Sequence, residues 1–146
     1  MPLDLLSKTP LPENLPKELK EALHIASNSK NKEEFLFTIY NLLIKKYKGN
    51  RLKTFTKIFE IKEKNLDLLW HKNGFLHCTN INYILRSLLI NSKFFKESDI
   101  RIKWTLIWYI SPHQYLQINV GNKWINVDIW SHNFGIKFGD YSHGWH

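Results

Sequence analysis

The stretch 113-HQYLQINVGNKWINVDIW-130 is the part of this chain from which a fold can be argued most directly. Gly121-Asn122 suits a two-residue β-hairpin connection, because such turns need positive φ, which glycine adopts freely. With those two residues as the loop, Val120 faces Lys123, and the register of both strands follows. Strand side chains alternate faces, and directly paired residues share one. One face is then Leu116, Ile118, Val120, Ile125, Val127 and Ile129, the expected core side. The other carries His113, Tyr115, Gln117, Asn119, Trp124, Asn126, Asp128 and Trp130. In this register His113 pairs with Trp130 and Tyr115 with Asp128, which makes His113 and Asp128 diagonal neighbours about 7 Å apart at the backbone. A histidine beside a carboxylate is a catalytic triad that still lacks its nucleophile.

Upstream of the hairpin lie a further strand, expected over 100–110, and "CTNINYILRSLLINS", which opens on Cys78, the only cysteine. Cys78, Ile81, Leu85 and Leu88 fall on one helical face, widened by Ile84 and Leu89. A helix start gathers unpaired N–H groups and the positive end of the dipole, which favours thiolate over thiol. The three side chains have complementary roles: Cys78 as nucleophile, His113 as base and acid, and Asp128 as the group that orients the imidazole. Taken singly, each has a simpler explanation, since a lone cysteine on an apolar helix is more often packing. Their coincidence raises the catalytic reading.

The first half reads as helical. Leu15, Leu19, Ala22, Leu23 and Ala26 follow a helix begun by Pro16. A second helix is capped by Asn31 with Glu34 three residues on, runs through Phe35, Ile39, Leu42 and Leu43, and is expected to stop at Gly49. A third is expected over about 51–71, through Leu52, Phe55, Phe59, Leu66 and Leu69. Residues 1–14 hold three prolines and read as an extended arm. Helices, a cysteine-led helix and then antiparallel strands (100–110, 114–120 and 123–130) make an α+β domain, and 146 residues suit one such unit.

Composition narrows the classes. One cysteine excludes an internal disulfide and a multi-cysteine zinc site. A net charge of +8 raises nucleic acid as a partner, but only three of the 21 basic residues are arginine, and the Lys45–Lys57 run fits a solvated helix side. His132, His143, His146 and Asp140 match no zinc spacing. No apolar stretch reaches the length of a membrane span and no basic, apolar leader opens the chain, so a cytoplasmic protein with no membrane partner and no cofactor is expected.

"GFLHCTNINYILRSLL" followed by "HQYLQINVGNKWINVDIW" resembles the transglutaminase-like superfamily of papain-type folds. The resemblance lies on Cys78, Leu85-Arg86, His113, Trp124 and Asp128 and covers about residues 70–131. It implies a Cys-His-Asp triad and hydrolysis or acyl transfer at a peptide or amide bond through a thioester. His77 precedes the cysteine where many members have a glycine-rich approach, and Ile129 follows the aspartate where many have proline. The hairpin is also similar to that of the arylamine N-acetyltransferases, which are much longer. Trp124, Trp130, Tyr115 and Trp108 are candidate walls of a substrate cleft. The Cys78 N–H is a candidate oxyanion donor, with Trp70, His71 or Asn73 as candidates for a second. The competing classes are a binding module of the same fold without catalysis and a nucleic-acid-binding protein.

Overall fold

The computed structural model describes residues 8–145. It is a mixed helix and sheet chain, α+β as expected. The first helix, α1 (Lys17–Ala26), buries Leu19, Ala22 and Ala26, and α2 (Lys32–Lys46) buries Phe35, Ile39 and Leu43. Asn31 caps α2 as its sequence predicts: Oδ1 accepts the Glu34 N–H at 2.8 Å, and the Glu34 carboxylate accepts the Lys30 N–H at 3.0 Å. Residues 1–7 of the predicted arm lie outside the described residues. Thr9, next along it, is buried, and its carbonyl accepts a hydrogen bond from Arg86 at 3.1 Å.

Two helical expectations are corrected. Gly49 does not stop α2, which ends three residues earlier when Tyr47 turns extended to start β1 (Tyr47–Lys48). Gly49 is there for close approach instead: a Cβ on it would lie 2.4 Å from the Trp130 carbonyl oxygen. The single helix expected over 51–71 is three pieces, α3 (Arg51–Thr56), a 3-10 turn (Ile58–Lys62) and α4 (Leu66–His71). Asn65 restarts the helix, its Oδ1 accepting the Asp67 and Leu68 N–H groups, as Asn50 does for α3. Leu66 and Leu69 are buried, but Leu52 and Phe59 are 73% and 81% exposed. The apolar spacing of 52–59 therefore marks a surface.

Gly74 does break the helical pattern, at φ +88, and with Phe75 forms β2 (Gly74–Phe75), paired in parallel with β1. The central helix α5 (Cys78–Asn91) is buried all round from Thr79 to Leu89, beyond the one apolar face its periodicity suggests. It packs on β3 (Ile100–Ile107), β4 (Ser111–Val120) and β5 (Lys123–Val127), an antiparallel sheet in that order, chiefly through β4.

The hairpin register is the expected one, with Val120 opposite Lys123, Ile118 opposite Ile125 and Leu116 opposite Val127. Gly121 and Asn122 take φ of +57 and +68, the conformation that such a loop requires. The sheet ends earlier than expected. The ladder stops at Leu116 and Val127, so Tyr115–Asp128 and His113–Trp130 are not strand pairs. The chain leaves the sheet because Asp128 Oδ1 takes the Ser131 N–H at 3.2 Å, closing a turn. The strand expected over 100–110 likewise ends at Ile107, where Trp108 and Tyr109 turn at positive φ. The C-terminal segment covers the second face of the hairpin: Tyr141 stacks on Tyr115 with centroids 4.2 Å apart, and Gly139 bridges Asn126. Among the described residues, no helix is long and apolar enough to cross a membrane.

Candidate active site

Cys78 is the first residue of α5, so its backbone N–H belongs to the helix end that has no intrahelical partner. The first bond of the helix is Ile81 N–H to the His77 carbonyl at 3.0 Å. His77 stays extended and anchors this end from outside, its Nε2 lying 2.7 Å from the Lys57 carbonyl. A carbonyl only accepts, so Nε2 carries the proton, and burial pushes the pKa of this imidazole down. Asn80 holds the same wall by donating to the Glu63 carbonyl at 3.0 Å.

Asn82 sets the helix against the sheet. It lies one turn after Cys78 on the same side of α5, and its Nδ2 donates to the Gln114 carbonyl at 3.0 Å and to Gln114 Oε1 at 3.2 Å. Gln114 follows His113, so this buried clamp brings the Cys78 end of α5 to the histidine. Both asparagines reach residues far along the chain, Asn80 by 17 positions and Asn82 by 32.

His113 is 2% exposed, and its Nε2 lies 2.8 Å from Asp128 Oδ2. The same carboxylate accepts the Ser142 N–H at 2.9 Å on Oδ2 and the Ser131 N–H on Oδ1. Ser131 Oγ lies 3.4 Å from His113 Nε2. With Nε2 turned to Asp128, Nδ1 is the ring nitrogen left for Cys78. Burial by itself would lower the His113 pKa, but the Asp128 carboxylate and then Cys78 outweigh it and push it up to about 10. Imidazolium is therefore the form held beside the thiol at neutral pH.

Cys78 and His113 line one cavity of about 220 Å³, walled by Phe55, Ile58, Ile107, Trp104, Trp108 and Trp130. Of the predicted walls, Trp130 is there, its ring centroid 5.1 Å from that of His113, and so is Trp108. Trp124 and Tyr115 are not. Trp124 lies near the hairpin loop with the Arg101 guanidinium 3.8 Å from its ring, and Tyr115 is buried against Tyr141. Both share the strand parity of His113, but the ladder carries Trp124 along the strand and the C-terminal segment covers Tyr115.

None of Trp70, His71 and Asn73 lines the cavity. Lys46 sits over the Trp70 ring at 4.9 Å and bonds Asn73 at 3.0 Å, while His71 Nδ1 faces the Asp67 carbonyl at 2.7 Å. A candidate donor that the sequence did not single out is Trp104, on β3. Among the described residues its buried Nε1 has no hydrogen-bond partner, and neither has the Thr79 Oγ1 beside Cys78; both residues line the cavity. An unmatched indole N–H is costly to bury unless a ligand acceptor meets it. His132 and His143 do not converge on a metal site, His132 facing Tyr40 at 3.4 Å and His143 lying against the Tyr141 ring, and His146 is outside the described residues. Glu18, Asp67 and His71 form a group with metal-ligand spacing, away from the cavity and largely exposed. The chain matches no protein-family model, no curated protein and no solved structure.

Proposed function

We propose that this domain is a cysteine-dependent hydrolase or acyl transferase that acts on a peptide or amide bond through a thioester, in a papain-like, transglutaminase-type arrangement. The observation that carries the reading is Cys78 at the N-terminus of α5, in one cavity with a His113 whose Nε2 is 2.8 Å from Asp128. The Cys78 thiolate adds to the carbonyl carbon, and the carbonyl π electrons move to oxygen. The oxyanion meets the Cys78 N–H and Trp104 Nε1–H. As the C–N bond breaks, the His113 imidazolium gives its proton to the leaving amine. Water, or an amine acceptor, then adds to the thioester while the neutral imidazole takes its proton, and the acyl product leaves as the thiolate re-forms. Asp128, held by two backbone N–H groups, keeps Nε2–H in place throughout.

Alkylation tests this. At pH 6.5, iodoacetamide should label Cys78 in the wild type about tenfold faster or more than in His113→Ala, as expected of a nucleophilic cysteine that depends on its histidine partner. An activated acyl ester should add its acyl mass to the wild type and not to Cys78→Ala. Equal, slow labelling in both proteins with no acyl adduct would leave a binding module that lacks catalysis.

A further inference from the structure

We propose that the rim of the Cys78 cavity docks on an anionic lipid bilayer surface. Two segments that line the cavity also present large apolar side chains to solvent. From the α3 side come Leu52, Phe55, Ile58 and Phe59, all exposed, although their spacing would serve a core. From the β3–β4 turn come Trp108, Tyr109 and Ile110, the last 80% exposed. The segments touch: the Arg51 guanidinium lies 4.3 Å from the Trp108 ring. Trp145 extends the patch, its ring 5.3 Å from Tyr109 and 75% exposed.

The turn is built to project these rings. Trp108 and Tyr109 both sit at positive φ, +54 and +60, which bulky residues rarely adopt. The surrounding bonds hold them there, with Trp108 N–H donating to the Gly144 carbonyl and Gly144 N–H to the Leu106 carbonyl. Strained backbone that carries apolar tips into solvent is a feature of ligand and partner sites.

Charge selects the occupant. The 51–64 segment that bears Leu52, Phe55, Ile58 and Phe59 has five basic side chains against two acidic ones. Glu60 is already held by Lys57 at 3.3 Å and Lys72 at 3.2 Å, while Lys53, Lys62 and Lys64 have no ion-pair partner among the described residues. A second copy docked face to face would set this cationic segment against itself. A single-stranded nucleic acid would use the rings but has no use for exposed Leu52, Ile58 and Ile110, since stacking needs π faces. Tryptophan and tyrosine tips, aliphatic side chains and flanking lysines together match the boundary between acyl chains and anionic headgroups. Surface docking of this kind needs no membrane-spanning helix, and it does not depend on catalysis by Cys78.

Flotation with vesicles tests it. The full chain should float with phosphatidylglycerol-containing vesicles in ~0.1 M salt, less with phosphatidylcholine alone, and less again in ~0.5 M salt. Tryptophan emission should shift to the blue on binding. Phe59→Asp combined with Ile110→Asp should cut the bound fraction about tenfold or more, with circular dichroism unchanged. The milder pair Phe59→Ser and Ile110→Ser should show the same direction if the charged pair disturbs the fold. No flotation with anionic vesicles, or flotation untouched by these substitutions, would overturn the proposal. So would a mass that rises to a dimer with concentration and falls in the variants, or retention on single-stranded RNA without vesicle binding.

Discussion

At the scale of the residue, His113 carries the electrostatics of the site. Its pKa is raised to about 10, against an ordinary value near 6.5, so the folded chain holds this proton more tightly than the unfolded chain does. The stabilisation is fully present below about pH 6.5 and is lost as pH rises through about 10. His113→Gln removes the titration and leaves the other groups common to both proteins. The thermal midpoint of the wild type minus that of His113→Gln should therefore shrink steadily between pH 6.5 and 10. A constant difference would mean that Asp128 and Cys78 do not hold the imidazolium. The pairing of His113 with Asp128 was legible in the sequence through strand parity, although the ladder stops at Leu116 and Val127 and the turn at Asp128 completes the contact. The Ser131 and Ser142 N–H groups on Asp128 were not, because a backbone donor has no residue signature. Nor was Trp104: as sequence it is one more strand aromatic, and only its Nε1, buried in the cavity without a partner among the described residues, singles it out.

At the scale of elements, the approach of the β1–α3 loop to the segment after β5 positions one cavity wall. Gly49 donates its N–H to the Trp130 carbonyl at 2.9 Å, and Asn133 brackets it by accepting that N–H at 3.0 Å and donating to the Gly49 carbonyl at 3.1 Å. Backbone lies where a Cβ would go, and the Trp130 ring is equally close, so a larger residue cannot be absorbed by a rotamer change. Gly49→Ala should cost roughly 1–3 kcal/mol, by the usual scale of overpacking, measured by urea unfolding. It should also slow Cys78 alkylation by moving Trp130 against His113. A neutral substitution would show that the loop does not brace the wall. The hairpin and the start of α5 follow from local rules of turn chemistry and periodicity. The break of the 51–71 helix does not, because its apolar spacing is as good as that of α2, and the decision lay with the Asn65 cap and with what Phe55 and Ile58 face.

At the scale of the whole molecule, the C-terminal segment completes the site. Tyr141 stacks on Tyr115, the Ser142 N–H reaches Asp128, and Gly144 pairs with β3. Ending the chain after Gly139 removes all three. The truncated protein should lose about 2 kcal/mol or more, the scale of a hydrogen bond to a charged group, and its alkylation rate at pH 6.5 should fall toward that of His113→Ala. An unchanged rate would show that Ser131 and His113 hold Asp128 unaided.

The sequence by itself determined the α+β order of elements, the cysteine at a helix start and the hairpin register from Leu116 to Val127. Each follows from interactions between residues close along the chain or across one tight turn. Only the tertiary structure decided that Asn82 clamps α5 to Gln114 and so sets Cys78 beside His113. It likewise decided that Trp124 and Tyr115 stay out of the cleft while Trp104 enters it. These outcomes depend on which distant backbone groups and surfaces meet when α5 packs on the sheet, and periodicity along the chain carries no information about that encounter.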